Sequence, residues 1–374
     1  MVNPYDPQSP ANPDYFGGRK HILSAVLERL EKAKVKKQSG GVLVYGYRGV
    51  GKTSLLNKVS STIQPQDELP GDVLVVYRRL STTTSVSEFY QVLTESLVDE
   101  LERRKTFVER LKSLGKNISS VKLFSTVEFQ REREDAERTP FLRWKGLLRG
   151  LSEVSCIVVE IDDADYLSPE ALGELKTIAE ETSLPPILLI VSGAIDFEER
   201  LVDDYSPIAR IFSGASFDLG EFKLDETQEV LEKPVAGSGT RWTEDAINAV
   251  QKLSGGYPYL VQCLASASYF EDTIEKSRVE EHVADALEIG KPWLSHELGT
   301  ASDNDIRSFE RIVKSGKPSL RSSEISALGV SPPYIGRLVK LKVLKFVSYG
   351  RYNLIMPPIV CYYHILKRNL QKEE

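Results

Sequence analysis

The sequence predicts an α/β chain in three parts: a parallel-sheet core at 1–221, a small all-α lid with its connector at 222–298, and a winged helix at 299–374. Three observations predict it. An apolar strand-like run passes through a glycine-rich loop into a helix at Gly41–Ser54. Two further apolar runs, Cys156–Asp165 and Pro186–Ser192, each end in polar residues, as buried parallel strands do when they reach the edge of a sheet. The last seventy residues read as three short helices and a hairpin.

The first of these carries the chemistry. Val42-Leu43-Val44-Tyr45 is β-branched, apolar and aromatic, and it feeds Gly46-Tyr47-Arg48-Gly49-Val50-Gly51-Lys52-Thr53, a full G-x-x-x-x-G-K-[ST] pattern. Ser54 onward continues with helical spacing. Glycines let successive backbone N–H groups of the loop, Gly46, Gly49, Val50 and Gly51 among them, curl around phosphate, and the helix start adds its positive dipole end through Lys52, Thr53 and Ser54. Lys52 reaches the terminal phosphates and the Thr53 hydroxyl ligates Mg²⁺ in such loops, so the segment predicts a nucleoside triphosphate site for ATP with Mg²⁺. A Gly-rich turn holding a chance lysine is the plainer alternative, and the flanking strand and helix disfavour it.

Hydrolysis needs a second strand bearing carboxylates. In Cys156–Asp165 an apolar run leads into Asp162 and Asp163 at its C-terminal end, where ligands sit in open α/β sheets. Asp162 is the expected Mg²⁺ holder and Asp163 the group that orients or deprotonates the attacking water. Asp is one methylene shorter than Glu at the second position, which predicts slow hydrolysis or dependence on a partner. A strand that simply ends in a solvated acidic loop is the competing reading.

Composition narrows the classes. Of 374 residues, 48 are basic and 54 acidic, a net of −6, which argues against a uniformly polybasic binder. No apolar run approaches the roughly 20 residues of a membrane helix, and the start has no basic-then-apolar leader, so a cytoplasmic protein without membrane contact is expected. Cys156, Cys263 and Cys361 are too far apart in sequence for a disulfide framework or zinc knuckle, and the four histidines share no ligand spacing.

With their flanks, these pieces resemble the AAA+ and STAND superfamily of P-loop ATPases (the ASCE class), and within it the archaeal and bacterial ATPases related to origin-recognition proteins. Asn12-Pro13-Asp14-Tyr15-Phe16-Gly17-Gly18-Arg19 looks like that family's N-terminal P-x-x-F-x-G-R box, which implies an adenine-cradling role for Phe16 and Arg19. Ser254–Gln262 resembles the G-x-P box of the lid, which implies that Pro258 touches the base; read plainly, it is a glycine helix stop followed by a proline helix start. By the same resemblance Ser192 takes the γ-phosphate-sensing position, and Arg210, in Asp204–Phe212, that of an arginine finger reaching a neighbouring subunit. Arg210 as a plain surface arginine paired with Asp203 and Asp204 stays open, as does Ser192 as a mere strand-ending serine. Arg241 is the nearest match to a lid sensor arginine. Nucleotide-dependent assembly into a homo-oligomer, or with a partner protein, follows as an implication.

Between Asp72–Leu80, a second strand, and the carboxylate strand, an amphipathic helix is expected at Val86–Arg104. A hairpin is expected at Ser120–Phe129, followed by the charge run Gln130–Arg138, a solvated face or an interaction element.

The C-terminal module changes the meaning of the total charge. Residues 301–374 hold 13 basic and 6 acidic residues, net +7, leaving 35 and 48, net −13, in the other 300. Arg337, Lys340, Lys342, Lys345 and Arg351, on the third helix and hairpin, are the expected phosphate contacts to double-stranded DNA. The expectation is an ATP-binding and ATP-hydrolysing switch acting on DNA. The rival is a STAND-like signalling ATPase whose winged helix contacts protein.

Overall fold

The computed structural model describes residues 2–63, 73–103, 139–151, 154–294, 298–356 and 358–373. The hairpin expected at Ser120–Phe129 and the charge run after it lie outside them. The chain forms two compact units, one of 19–46 and 52–219, the other of 1–18, 47–51 and 220–374.

The first unit is the α/β core. Its elements are α1 (Lys20–Lys36), β1 (Gly40–Tyr45), α2 (Lys52–Ile63), β2 (Val73–Arg79), α3 (Val86–Arg103), α4 (Thr139–Gly150), β3 (Cys156–Asp162), α5 (Pro169–Ala179), β4 (Ile187–Gly193), α6 (Phe197–Ala209) and β5 (Ser216–Asp218). The strands form one parallel sheet in the order β2-β3-β4-β1-β5. β3 and β4 are buried along their whole length, which is why their sequences are continuous apolar runs rather than alternating ones. β4 lies between β1 and β3, with Val44 beside Ser192 and Ile161 beside Val191. The strand before the glycine loop, the carboxylate strand and the serine strand therefore end together at one edge.

A large apolar core backs this edge. Phe89, Tyr90, Leu93 and Leu97 of α3 and Trp144, Leu147 and Leu148 of α4 pack with the sheet residues Leu74, Val76, Ile157 and Val159. Full burial of a side chain of this size is worth about 1.5–3 kcal/mol, so the cluster fixes the strands on which the polar edge residues sit.

The second unit is mostly helical at its start, with α7 (Leu224–Glu232), β6 (Arg241–Trp242), α8 (Glu244–Ser254), α9 (Pro258–Ser268), β7 (Thr273–Ile274), α10 (Lys276–Glu281) and α11 (Val283–Leu294). The connector divides at His282, whose backbone leaves helical geometry between α10 and α11. Pro292 lies inside α11 near its C-terminal end, where it has no N–H to donate to the carbonyl of Glu288. The N-terminal segment is tied to this unit: the Tyr5 hydroxyl donates to the Leu231 carbonyl and accepts from Trp242 Nε1 at 2.8 Å.

The C-terminal part is a winged helix: α12 (Asp303–Lys314), β8 (Ser319–Arg321), α13 (Ser322–Ala327), α14 (Pro332–Lys340), β9 (Leu344–Ser348) and β10 (Arg351–Leu354), followed by α15 (Pro358–Glu373). β8, β10 and β9 form an antiparallel sheet with β10 in the middle. β8 is an element the sequence pattern did not reveal, being three residues long. No described helix is long and apolar enough to cross a membrane.

Candidate functional site

The polar groups at the sheet edge converge on one carboxylate. Asp162, fully buried, ends β3. Its Oδ2 accepts from the Thr53 hydroxyl at 2.7 Å and from the Tyr77 hydroxyl at 3.2 Å. Its Oδ1 accepts from the Ser192 hydroxyl at 2.5 Å. Ser192 also accepts the Asp163 backbone N–H at 3.1 Å, so one buried hydroxyl positions both acidic residues. Three hydroxyl donors fix the direction of the carboxylate.

Asp163 differs from its neighbour. Its backbone is left-handed, φ 57°, a conformation that Asp tolerates better than most residues, and this turns its side chain away from the strand. Arg79 Nε donates to Asp163 Oδ2 at 3.0 Å and lies 3.9 Å from Asp162. The Asp163 carboxylate in turn holds the Arg79 guanidinium above its ordinary range. Burial and the Asp162 charge push the Tyr77 phenol well up, so it remains a donor at any physiological pH.

Lys52 opens α2, and its Nζ donates to the Gly46 carbonyl at 2.9 Å. Gly49 and Gly51 have φ of 81° and 91°, which only glycine adopts without strain, so the loop pattern is a backbone requirement. Within the second unit, residues 47–51 are held by the segment resembling a G-x-P box: the Arg48 carbonyl accepts from the Tyr257 hydroxyl at 3.1 Å, and the Gly49 carbonyl from the Tyr259 N–H at 3.2 Å. Pro258 is buried at the first turn of α9. Phe16 is buried too, its carbonyl accepting from Lys233 Nζ at 2.6 Å, and the Gly18 N–H donates to Glu229 at 3.2 Å. Arg19, in the first unit, is buried at the start of α1.

Two acids outside this set are also tied down. Glu160 is buried on β3, accepts from the Ser60 hydroxyl at 2.6 Å, and is pushed by burial up to about 8. Asp165 accepts the Ala194 N–H at 2.7 Å and pairs with Arg200, while burial raises its carboxyl.

The structure brings Lys52, Thr53, Asp162, Asp163 and Ser192 to one edge of the core, together with Tyr77 and Arg79 from β2. The signal for these two was present in Asp72–Leu80, where the apolar strand ends in Tyr-Arg-Arg; β2 pairs with β3 so that Arg79 lies beside Asp162. Arg210 is exposed at the start of a short 3-10 turn, Arg210–Phe212. Arg241 donates to Thr273 at 2.9 Å. In the winged helix Lys340, Lys342, Lys345 and Arg351 are exposed, while Arg337 is forked onto buried Asp305 at 2.7 and 2.6 Å.

A hydroxyl and a carboxylate this close form a hard oxygen pair of the kind a small divalent cation takes, and the glycine loop with its lysine suits phosphate. Among the described residues no cluster of His, Cys, Asp and Glu suits a softer metal, and the three cysteines are buried free thiols.

Comparison with known proteins agrees with this architecture. The AAA ATPase domain family matches residues 15–191, which takes in the F-x-G-R box, the glycine loop, Asp162 and Asp163. Among solved structures, the Walker-type ATPase of Pyrococcus abyssi is similar over 94% of this chain and 96% of its own, with 18% identity and a TM-score of 0.52. The ADP form of the Aeropyrum pernix ORC2 protein is similar over 94% and 93%, with 14% identity and a TM-score of 0.52. At these identities the likeness concerns the fold. No curated protein matches the chain. The glycine loop and the carboxylate strand both fall inside the one stretch, residues 15–191, that matches the AAA ATPase domain family.

Proposed function

We propose that this protein is an AAA+ ATP-hydrolysing switch that acts on DNA through its winged helix. The observation that carries the enzymatic half is the approach of the Thr53 hydroxyl, next in sequence to Lys52, to Asp162. In this reading Lys52 and the loop N–H groups hold the phosphates, and Thr53 and Asp162 hold Mg²⁺. Bound there, the cation would draw charge from the phosphate oxygens. Asp163 takes the proton of the attacking water, and Ser192 keeps Asp162 and Asp163 in register. Arg79 neutralises Asp163 and competes for its lone pairs, which supports slow basal turnover. Exposed Arg210 is free in position to serve a neighbouring subunit, which makes assembly the accelerating step.

The charge division, +7 in residues 301–374 against −13 elsewhere, supports the DNA half. A second reading, a signalling ATPase whose winged helix contacts a protein, is favoured by the exposed apolar residues Phe346 and Val347 on the wing.

Lys52→Ala is expected to abolish ATP binding, and Asp163→Ala to bind ATP but lose at least about a hundredfold in turnover. Isothermal titration and phosphate release measure the two. Normal hydrolysis by both variants would overturn the site, and absence of DNA binding at low salt would overturn the DNA half in favour of the second reading.

A further inference from the structure

The winged helix presents two surfaces to a nucleic acid, and they are unequal. α14, in the position of a recognition helix, exposes Pro332, Pro333, Gly336, Arg337 and Lys340. Reading base edges in a major groove relies on Arg, Asn or Gln forks. α14 has one such side chain, Arg337, and its guanidinium is already committed to Asp305.

The wing is built differently. The pleat puts Phe346 and Tyr352 on the face that carries Leu344 and Leu354, and they pair across the strands with ring centroids 5.5 Å apart at 67°. Leu344 is buried, but Phe346 is 53% exposed, so the apolar face runs out past the core into solvent. At the tip, Tyr349 is fully exposed with φ 46°, followed by Gly350 at 69°. Two successive positive φ values make a turn that ordinarily takes Asn-Gly, and a bulky aromatic there is strained. The fold gains no burial from Tyr349. Lys345 and Arg351, each next in sequence to one of the paired rings, are both exposed.

We propose that the wing, Leu344–Leu354, is a binding surface for single-stranded DNA, on which unpaired bases stack against Phe346, Tyr349 and Tyr352 while Lys345 and Arg351 neutralise the adjoining phosphates. The proposal rests on the reading that this chain acts on DNA and specifies the form it takes. Exposed ring faces can stack only on bases whose own faces are open, and paired bases inside a duplex offer none. The local positive charge selects a polyanion over an apolar protein partner.

The test uses the full chain and fluorescence anisotropy with a labelled oligothymidine of about 20 nucleotides and a duplex of equal length, across a salt series. Single-stranded binding should be the tighter, and Phe346→Ala with Tyr349→Ala should weaken it at least roughly tenfold while leaving duplex binding and ATP binding unchanged. Lys345→Glu with Arg351→Glu should reduce the salt slope by about 1.4. Tyr349→Asn separates binding from folding: it relieves the strained turn, so the melting midpoint should hold or rise while single-stranded affinity falls.

Duplex binding that is tighter and indifferent to the aromatic substitutions would overturn the proposal and leave the DNA reading standing. No binding of either DNA at low salt would overturn both. Self-association lost in the aromatic variants, with no DNA binding, would assign the wing to a second copy instead.

Discussion

Thr53 and Asp162, 109 positions apart in the chain, meet at 2.7 Å because the strands before and beside them end at the same edge of one parallel sheet. The oxygen that receives the Thr53 proton, Oδ2, also receives that of Tyr77. Removing the second donor leaves the carboxylate in place but less firmly aimed. Tyr77→Phe is therefore expected to raise the Mg²⁺ concentration that half-saturates hydrolysis about tenfold, the lower end of what losing a metal-ligand support costs. Nucleotide affinity measured without Mg²⁺ should not move. An unchanged Mg²⁺ requirement would show that Thr53 and Ser192 alone orient Asp162.

Arg79 makes a different kind of contact. Its guanidinium is 57% exposed yet donates to Asp163 at 3.0 Å, where it lowers the availability of that carboxylate as a base. Arg79→Ala should raise basal kcat severalfold with little change in KM, because the pair is made in the resting protein and not to substrate. A steady-state ATPase assay decides it; a fall in kcat would mean that Arg79 instead positions Asp163 for the reaction.

These two residues also mark how far the sequence could be read. Gly46–Thr53, Asp162, Asp163 and Ser192 were legible because each sits at the end of an apolar run, and strand ends in a parallel sheet gather ligands. Tyr77 and Arg79 end such a run too, but their contribution depends on β2 lying next to β3, and strand order is not written in local periodicity. Arg337 was misjudged in emphasis for a similar reason. Its basic character and helix position pointed outward to phosphate, while Asp305, 32 residues earlier, takes both arms of its guanidinium. The Tyr257 hydroxyl and the Tyr259 backbone N–H, in the box around Pro258, reach the carbonyls of Arg48 and Gly49, contacts that no local pattern signals.

Two glycines separate conformational need from mere tolerance. Gly256 has φ 76°, and a Cβ there would sit 2.3 Å from the Phe222 carbonyl oxygen, whose own N–H donates back to Gly256 O at 2.7 Å. Gly256→Ala should cost at least about 2 kcal/mol, from the left-handed conformation and the clash together. Gly173 lies exposed inside α5 with nothing within 4 Å of an added Cβ and a helical backbone. Gly173→Ala should stabilise by about 0.5–1 kcal/mol. Urea titrations of both variants give opposite signs if the geometry is right.

The ion pair of the winged helix yields a pH signature. Arg337 beside it, with the Ser302 hydroxyl and N–H, holds the Asp305 carboxyl down to about 2, against 3.8 unperturbed. A carboxyl depressed on folding binds fewer protons native than unfolded, so its contribution to stability is present in full above about pH 4 and is lost as pH falls toward 2. Arg337→Met removes the fork while keeping the stem length, and leaves Asp305 buried and charged. At pH 7 the variant should melt several degrees below the parent in a thermal scan reporting on the C-terminal module. That gap should narrow between pH 4 and pH 2, because protonation removes the same interaction from the parent. A gap that stays constant down to pH 2 would mean that Arg337 stabilises through its packing, and that its charge is available to a phosphate after all.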